Sequence, residues 1–176
     1  MKWFLKCFKQ YVDFEGRARR KEYWWFTLIN AIISMVLVIG WLIPIFKLGF
    51  DAAAYGADDI DEMEIIKTVF SSPFLYIYIV YYMAILIPSL AVTVRRLHDI
   101  GKSGFWCFLI YGGSILGSIG SVFSESNIAI YLVLSLACMA IAVIALVWLF
   151  TDSQYGPNKY GLNPKGEGNP ETPVEE

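Results

Sequence analysis

The chain alternates basic segments with long apolar runs, and this alternation constrains its fold more than any other feature. Of its fourteen Lys and Arg residues, seven lie in Met1–Glu22, three in Arg95–Gly104 and two in Thr151–Glu176. The stretch Lys47–Lys67 holds the other two, together with six acidic residues. Short loops that carry Lys and Arg stay on the cytoplasmic side during membrane insertion. The pattern therefore predicts an even number of membrane crossings, with both termini in the cytoplasm.

Four apolar runs separate these segments, and each is long enough to cross a bilayer as a helix. About 20 residues cover roughly 30 Å of hydrocarbon at about 1.5 Å per residue. Of the 176 residues, 57% are hydrophobic and 17% are charged, whereas soluble domains are about 25% charged. We predict an all-α integral membrane four-helix bundle with spans at about 23–46, 69–94, 105–123 and 128–150 within a transmembrane domain of residues 23–150.

Both flanking segments are predicted to be cytoplasmic. Residues 1–22 are basic, and within residues 2–12 three Lys side chains share one helical face while aromatic and aliphatic side chains cover the other. A helix of this kind lies in the plane of the lipid headgroups. Residues 151–176 form a polar tail, which we expect to be disordered after about residue 165 because it has so few apolar side chains.

Glycines mark one face of the third predicted span. Gly113, Gly117 and Gly120 share that face, and small residues let two helix backbones approach closely in lipid. A matching stripe of small residues lies on the fourth span at Ser135, Cys138, Ala142 and Ala145. We expect the two spans to pack against each other through these faces, with homodimerisation as the alternative.

No segment of the sequence carries a recognisable catalytic or metal-binding motif. Gly101-Lys102-Ser103 resembles the end of a P-loop, but Arg96 stands where that motif requires glycine. His98 and Asp99 could form an acid–base pair, although adjacent residues rarely orient one another. No cofactor, metal or nucleic-acid partner is expected.

The acidic stretch between the first two spans offers oxygen ligands of the kind that divalent cations prefer. It lacks the glycine and the ligand order of an EF-hand, so a solvated loop is the better interpretation. The carboxylates concerned are Asp58, Asp59, Asp61, Glu62 and Glu64.

Two segments at the predicted cytoplasmic border resemble a known family. Residues 14–24 read FEGRARRKEYW and residues 95–104 read RRLHDIGKSG. Both are similar to the hallmark motifs of a bacterial inner-membrane family called domain of unknown function 805, and the tail YGPNKYGLNP at residues 155–164 is similar to that family's terminal motif. The resemblance covers nearly the whole chain. It implies a small multi-spanning protein of the bacterial plasma membrane and no established reaction or substrate.

The favoured hypothesis is a non-enzymatic membrane module whose cationic cytoplasmic face binds anionic lipid or a partner protein. That face is expected to be supported by Glu22, His98 and Asp99. The two carboxylates balance arginine charges through charge-assisted hydrogen bonds, and His98 and Asp99 cap helix ends. The cations expected to bind are Arg17, Arg19, Arg20, Arg95, Arg96 and Lys102.

The alternative hypothesis is a membrane enzyme or carrier that acts on a lipid-linked phosphate. In that case Arg95 and Arg96 would bind the phosphate, and His98 with Asp99 would move protons. A buried His98 beside a pocket open to lipid would favour this alternative over the binding module.

Overall fold

The computed structural model describes residues 2–55, 61–122 and 127–170. Within these ranges the chain forms helices and turns and no β-strand, so the all-α prediction is confirmed. The helices are α1 (Lys2–Lys9), α2 (Arg20–Tyr55), α3 (Glu62–Ser71), α4 (Pro73–Asp99), α5 (Trp106–Val122) and α6 (Ile128–Phe150).

The helix α2 runs past both ends of the first predicted span. At its C-terminal end, the three Ala residues at 52–54 favour continued helix. The second predicted span, in contrast, is divided. Ser72 has extended backbone with ψ 120°, and it separates α3 from α4. The break falls here because proline disfavours helical backbone at the preceding residue, whereas Pro73 suits the first turn of α4.

Among the described residues, α2, α4 and α6 are long and apolar enough to cross a membrane. Their large apolar side chains are often exposed, as at Val36, Val80 and Val133, which suits a surface that faces lipid. The helix α5 has 17 residues. That length covers about 25 Å, against roughly 30 Å of hydrocarbon. A crossing by α5 therefore stays a prediction.

Contacts divide the chain into two units, residues 1–24 with 88–176 and residues 25–87. In the second unit, the hydroxyl of Tyr81 donates a hydrogen bond of 2.6 Å to Oδ1 of Asn30. This bond pairs two polar groups within the apolar stretches of α2 and α4, where water is not at hand to satisfy them.

In the first unit, α5 packs against α6 through its glycine face, as predicted. The carbonyl oxygen of Gly113 accepts a hydrogen bond of 3.3 Å from Sγ of Cys138. A Cβ placed on Gly113, Gly117 or Gly120 would lie 3.3 to 3.9 Å from side chains of α6. Those side chains are Leu134, Cys138 and Ile141. Cys138 was expected on this face, whereas Leu134 and Ile141 stand where smaller neighbours were expected.

The C-terminal tail forms hydrogen-bonded turns. Asn163 donates from its backbone N–H to Oδ1 of Asn169 at 2.8 Å, and its carbonyl oxygen accepts from Nδ2 of Asn169 at 3.0 Å. In the sequence, small polar side chains of this kind suggest disorder. In the structure, they form hydrogen bonds with the backbone groups of turns. The expected disorder began at about residue 165; residues 171–176 lie outside the described residues.

Candidate functional site

The two basic segments that resemble family motifs meet at the C-terminal end of α4. The backbone N–H of Ala18 donates to the carbonyl oxygen of Arg95 at 3.0 Å. Nearby, Nε of Arg17 donates to Oδ1 of Asp99 at 3.1 Å. Arg96 and Asp99 are three residues apart on α4, so their side chains lie on the same helical face. Folding thus gathers charges from distant parts of the chain into one cluster.

Asp99 is the central acceptor of this cluster, and its side chain is fully buried. Its Oδ1 accepts from Arg17, and its Oδ2 accepts from Nη1 of Arg96 at 2.5 Å and from Oγ of Ser153 at 2.6 Å. Its carbonyl oxygen accepts from the backbone N–H of Gln154 at 2.9 Å. The carboxylate therefore joins both motifs to the tail.

Arg17 binds the tail through the rest of its planar guanidinium group. Its Nη2 donates to the carbonyl oxygen of Gln154 at 2.7 Å and to that of Asp99 at 3.2 Å. Its Nη1 donates to the carbonyl oxygen of Gly156 at 2.8 Å. Gly156 has a φ of 69°, a left-handed conformation that glycine adopts without steric cost. Arg17 is thus held by backbone acceptors as much as by the carboxylate.

Arg96 and Arg20 cap the C-terminal end of α6. Nε of Arg96 donates to the carbonyl oxygen of Leu149 at 3.3 Å, and its Nη2 donates to that of Thr151. Nη1 of Arg20 donates to the carbonyl oxygen of Phe150 at 3.2 Å. The last carbonyls of a helix have no partner within the helix and carry partial negative charge, so two cations stabilise this end.

A second buried ion pair, formed by Glu22 and Arg95, lies where α1, α2 and α4 meet. The side chain of Glu22 is 1% exposed; its Oε2 accepts from Nζ of Lys6 at 2.6 Å, and its Oε1 lies 3.5 Å from Nη2 of Arg95. Nη1 of Arg95 donates to the carbonyl oxygens of Asp13 at 2.5 Å and Gln10 at 3.2 Å. These contacts hold the segment after α1 against the end of α4.

Cys7 lies buried beside this second pair. Burial, and then the negative charge of Glu22, raises the pKa of the Cys7 thiol to about 11. Cys7 is therefore a neutral packing residue at physiological pH rather than a reactive thiolate.

His98 belongs to the contact between the motif and the tail, not to the carboxylate. Its half-buried ring stacks on Tyr160, with ring centroids 3.7 Å apart and planes 4° from parallel. Its Nδ1 lies 3.3 Å from the carbonyl oxygen of Gly16, and its own carbonyl oxygen accepts from Nδ2 of Asn158 at 3.0 Å. Since the oxygens of Asp99 face arginines and Ser153, an acid–base pair with His98 does not form in this arrangement.

The remaining predicted cations lie at the surface, each beside an aromatic ring or an acid. The guanidinium of Arg19 stacks on Trp3 at 3.8 Å from the ring centroid, and Nζ of Lys102 lies 5.0 Å from that of Trp148. The side chain of Arg20 is 44% exposed, and it pairs with an exposed carboxylate. Arg20 and Lys102 are exposed and accessible to a ligand, and Arg19 is half-buried.

Three of the cations predicted to bind lipid or a partner protein are Arg17, Arg95 and Arg96. Their positions do not suit direct contact with a lipid or a partner. They are buried, with 7%, 2% and 0% of their surface exposed, and they bind acceptors of the chain itself. All six predicted cations lie in the same border segments, so the sequence offered no means to separate the buried ones from the exposed ones.

The tail groups that bind Asp99 and Arg17 were missed by sequence reasoning. The hydroxyl of Ser153 donates to Asp99, and the carbonyl oxygens of Gln154 and Gly156 accept from Arg17. The available signal was the Gly-, Tyr- and Asn-rich run at residues 155–164, which marks the tail but does not indicate what it binds.

The acidic stretch between α2 and α3 shows a structural role for one carboxylate. Oδ1 of Asp61 accepts from the backbone N–H of Met63 at 3.0 Å and so caps α3. Within the ranges that the structure describes, no group of three or more His, Cys, Asp or Glu side chains could hold a metal ion. Asp58 and Asp59 lie outside the described residues.

Comparison with known proteins matches residues 11–162 to the family described as "Protein of unknown function (DUF805)". That stretch contains both basic motifs and most of the terminal motif at residues 155–164. The chain belongs to the DUF805 family. Its relatives include the inner membrane protein YhaI of Escherichia coli K12, with 32% identity over 165 residues, which cover 94% of this chain and 97% of YhaI.

A second relative of this DUF805 protein is the inner membrane protein YhaH of Escherichia coli K12. The identity is 38% over 114 residues, which cover 62% of this chain and 72% of YhaH. No solved structure matches the chain. Family membership and the apolar helices together make this DUF805 chain a membrane protein of unknown activity.

Proposed function

We propose that this protein is a non-enzymatic module of the bacterial inner membrane whose cationic cytoplasmic surface binds anionic lipid headgroups. Its relatives are named inner membrane proteins, and its basic segments follow the charge rule for cytoplasmic loops. An acidic partner protein is the alternative occupant of the same surface.

The observation that carries this proposal is the division of the border cations into two sets. The buried set binds the chain's own carboxylates and carbonyls, whereas Arg20 and Lys102 are exposed and Arg19 is half-buried. Arg19 and Lys102 each lie against a Trp ring, a residue typical of the membrane interface. Each such cation contributes about 1 kcal/mol of attraction near an anionic membrane surface.

The buried cluster positions this surface rather than binding the ligand itself. By joining the N-terminal segment, the end of α4 and the tail, it fixes the segments that carry the exposed cations. The enzyme alternative needs Arg95 and Arg96 for a phosphate and a His98–Asp99 pair, and all four are occupied by internal contacts.

One observation favours a lipid ligand, whether the protein is a binding module or an enzyme. An apolar groove of about 370 Å³ lies between α4 and α5, with Leu90, Val94 and Phe108 among its walls. Gly104 lines this groove and lies beside His98. A Cβ added to Gly104 would be 3.2 Å from Nε2 of the His98 ring. The residues that line the groove carry no charge, so it suits a hydrocarbon chain and not a reacting phosphate.

The proposal is tested by the lipids that remain bound to the purified protein. A variant with Arg20→Gln and Lys102→Gln should retain fewer anionic lipids, measured by mass spectrometry of the detergent-solubilised protein. The matched control is Lys47→Gln with Lys67→Gln, which removes exposed cations from the stretch predicted to lie outside. An equal loss of anionic lipid in both variants, or no loss in either, would contradict the proposal.

A further inference from the structure

A polar pocket of about 390 Å³ lies where the first turn of α2 meets the C-terminal tail. Cations dominate its walls: Arg19 directly precedes α2, Arg20 and Lys21 begin it, and Lys165 comes from the tail. Glu167 is the acidic residue among them. Residues far apart in sequence thus build one concave and mainly basic surface.

The charges around this pocket do not balance. Asp152 accepts from Nη2 of Arg20 at 2.9 Å and from Nζ of Lys165 at 2.5 Å. The hydrogen bond from Lys165, and then that from the backbone N–H of Ser153, lowers the pKa of Asp152, which therefore stays ionised. With Glu167 counted as well, the four cations exceed the nearby carboxylates by two positive charges.

Arg19 supplies a donor group that no acceptor of the described chain satisfies. Its guanidinium face rests on the ring of Trp3, which fixes the plane of the group. Its Nε is buried and has no hydrogen-bond acceptor among the described residues. A planar guanidinium matches the spacing of phosphate oxygens and binds them through parallel hydrogen bonds.

We propose that this pocket binds a phosphate group, with Arg19 and Arg20 as hydrogen-bond donors and Lys21 and Lys165 as compensating charges. The volume lies within the range of about 300–1,000 Å³ typical of ligand pockets, so it has room for a substituent on the phosphate. The inference rests on the proposed function, because it specifies one site on the cationic surface. The phosphate comes from a lipid headgroup or from a soluble phosphate compound.

A phosphate at this site would also affect the tail, because Lys165 belongs to the tail. A phosphate bound between α2 and Lys165 would hold the tail against the start of α2 and would strengthen its docking. The buried contacts of Arg17 with residues 154–156 already place the tail here, so the pocket is available before the ligand arrives.

Two binding measurements on the full-length protein test the site and distinguish the sources of phosphate. Inorganic phosphate is titrated calorimetrically into protein in a neutral detergent, and phosphatidic acid is offered in phosphatidylcholine nanodiscs and counted by native mass spectrometry. Lys165→Gln and Lys21→Gln should each weaken binding by about tenfold, the loss expected for one charge-assisted contact. Lys21 is exposed and is not an ion-pair partner in the described structure, so its variant should keep the fold.

The control is Lys102→Gln, an exposed cation of the proposed surface that does not line the pocket. Weaker binding of inorganic phosphate by Lys21→Gln and Lys165→Gln supports the site and indicates a soluble phosphate. Weaker binding of phosphatidic acid alone supports the site and indicates a headgroup. Equal losses for Lys102→Gln and Lys21→Gln with the lipid would overturn the pocket and leave the cationic surface standing. Unchanged binding in all variants, in both measurements, would overturn the pocket and the proposed function together.

Discussion

Among the described residues three arginines are buried, and the guanidinium of each loses its contacts with water. A guanidinium carries several donors and no acceptor, and burying it is unfavourable unless the donors are satisfied. Arg17 and Arg96 share the carboxylate of Asp99 and direct their other nitrogens to carbonyl oxygens at the ends of helices and turns. Because one carboxylate serves two buried cations, it is the residue on which the cluster most depends.

Replacing Asp99 should therefore be among the most damaging single changes in the chain. Asp99→Ala leaves Arg17 and Arg96 as buried cations without a counter-charge, which should cost about 3–5 kcal/mol of unfolding free energy. The comparison variant is Asp61→Ala, which removes the cap of α3 and should cost about 1 kcal/mol. Thermal unfolding in detergent measures both. Similar melting temperatures for the two variants would mean that the cluster contributes no more than a helix cap does.

Helix boundaries and helix packing follow local rules in this protein. The division between α3 and α4 falls at Ser72, where the backbone before a proline leaves the helical region. The contact of α5 with α6 depends on glycines, because backbones approach closely where no Cβ intervenes. Gly112 and Gly113 are adjacent, yet a Cβ on Gly113 meets Ile141 at 3.4 Å while one on Gly112 meets nothing within 4 Å.

These two glycines provide a matched test of the packing of α5 against α6. Gly113→Leu should force the helices apart and destabilise the protein by about 1–3 kcal/mol, the usual cost of overpacking. Gly112→Leu should leave stability unchanged or slightly raised, because leucine favours helix more than glycine does. Both are read from the melting temperature in detergent. If Gly113→Leu were as stable as Gly112→Leu, the glycine face would have to lie toward lipid.

At the scale of the whole molecule, the buried cluster bears on membrane topology. It joins residue 17, the end of α4 and the start of the tail, so we expect these three points to lie on one side of the membrane. The chain between any two of them must cross the membrane an even number of times. If α6 crosses, as we predict, the segment from residue 99 to residue 150 needs a second crossing, and α5 is the predicted span that would provide it. This argument supports four spans even though α5 is short.

Reporter fusions test that topology directly. An enzyme that is active only outside the cytoplasm should be active when fused after residue 58 or residue 126, and inactive when fused after Asp99 or Gly161. A reporter that is active only inside should give the reverse pattern and serves as the control for expression. Activity of the outside reporter at Gly161 would contradict both the four-span prediction and a shared side for the cluster.

The residue pattern by itself determined the class of protein and most of its helices. Apolar length and charge segregation depend on composition along the chain, and α6 begins and ends at the residues predicted for the fourth span. The tertiary structure alone decided what each cation does. Arg17 and Arg19 are two positions apart in the same motif, yet the first is buried against residues 154–156 while the second stacks on Trp3 and lines a pocket. Their difference arises from acceptors that are distant in sequence, and only folding brings those acceptors within hydrogen-bond reach.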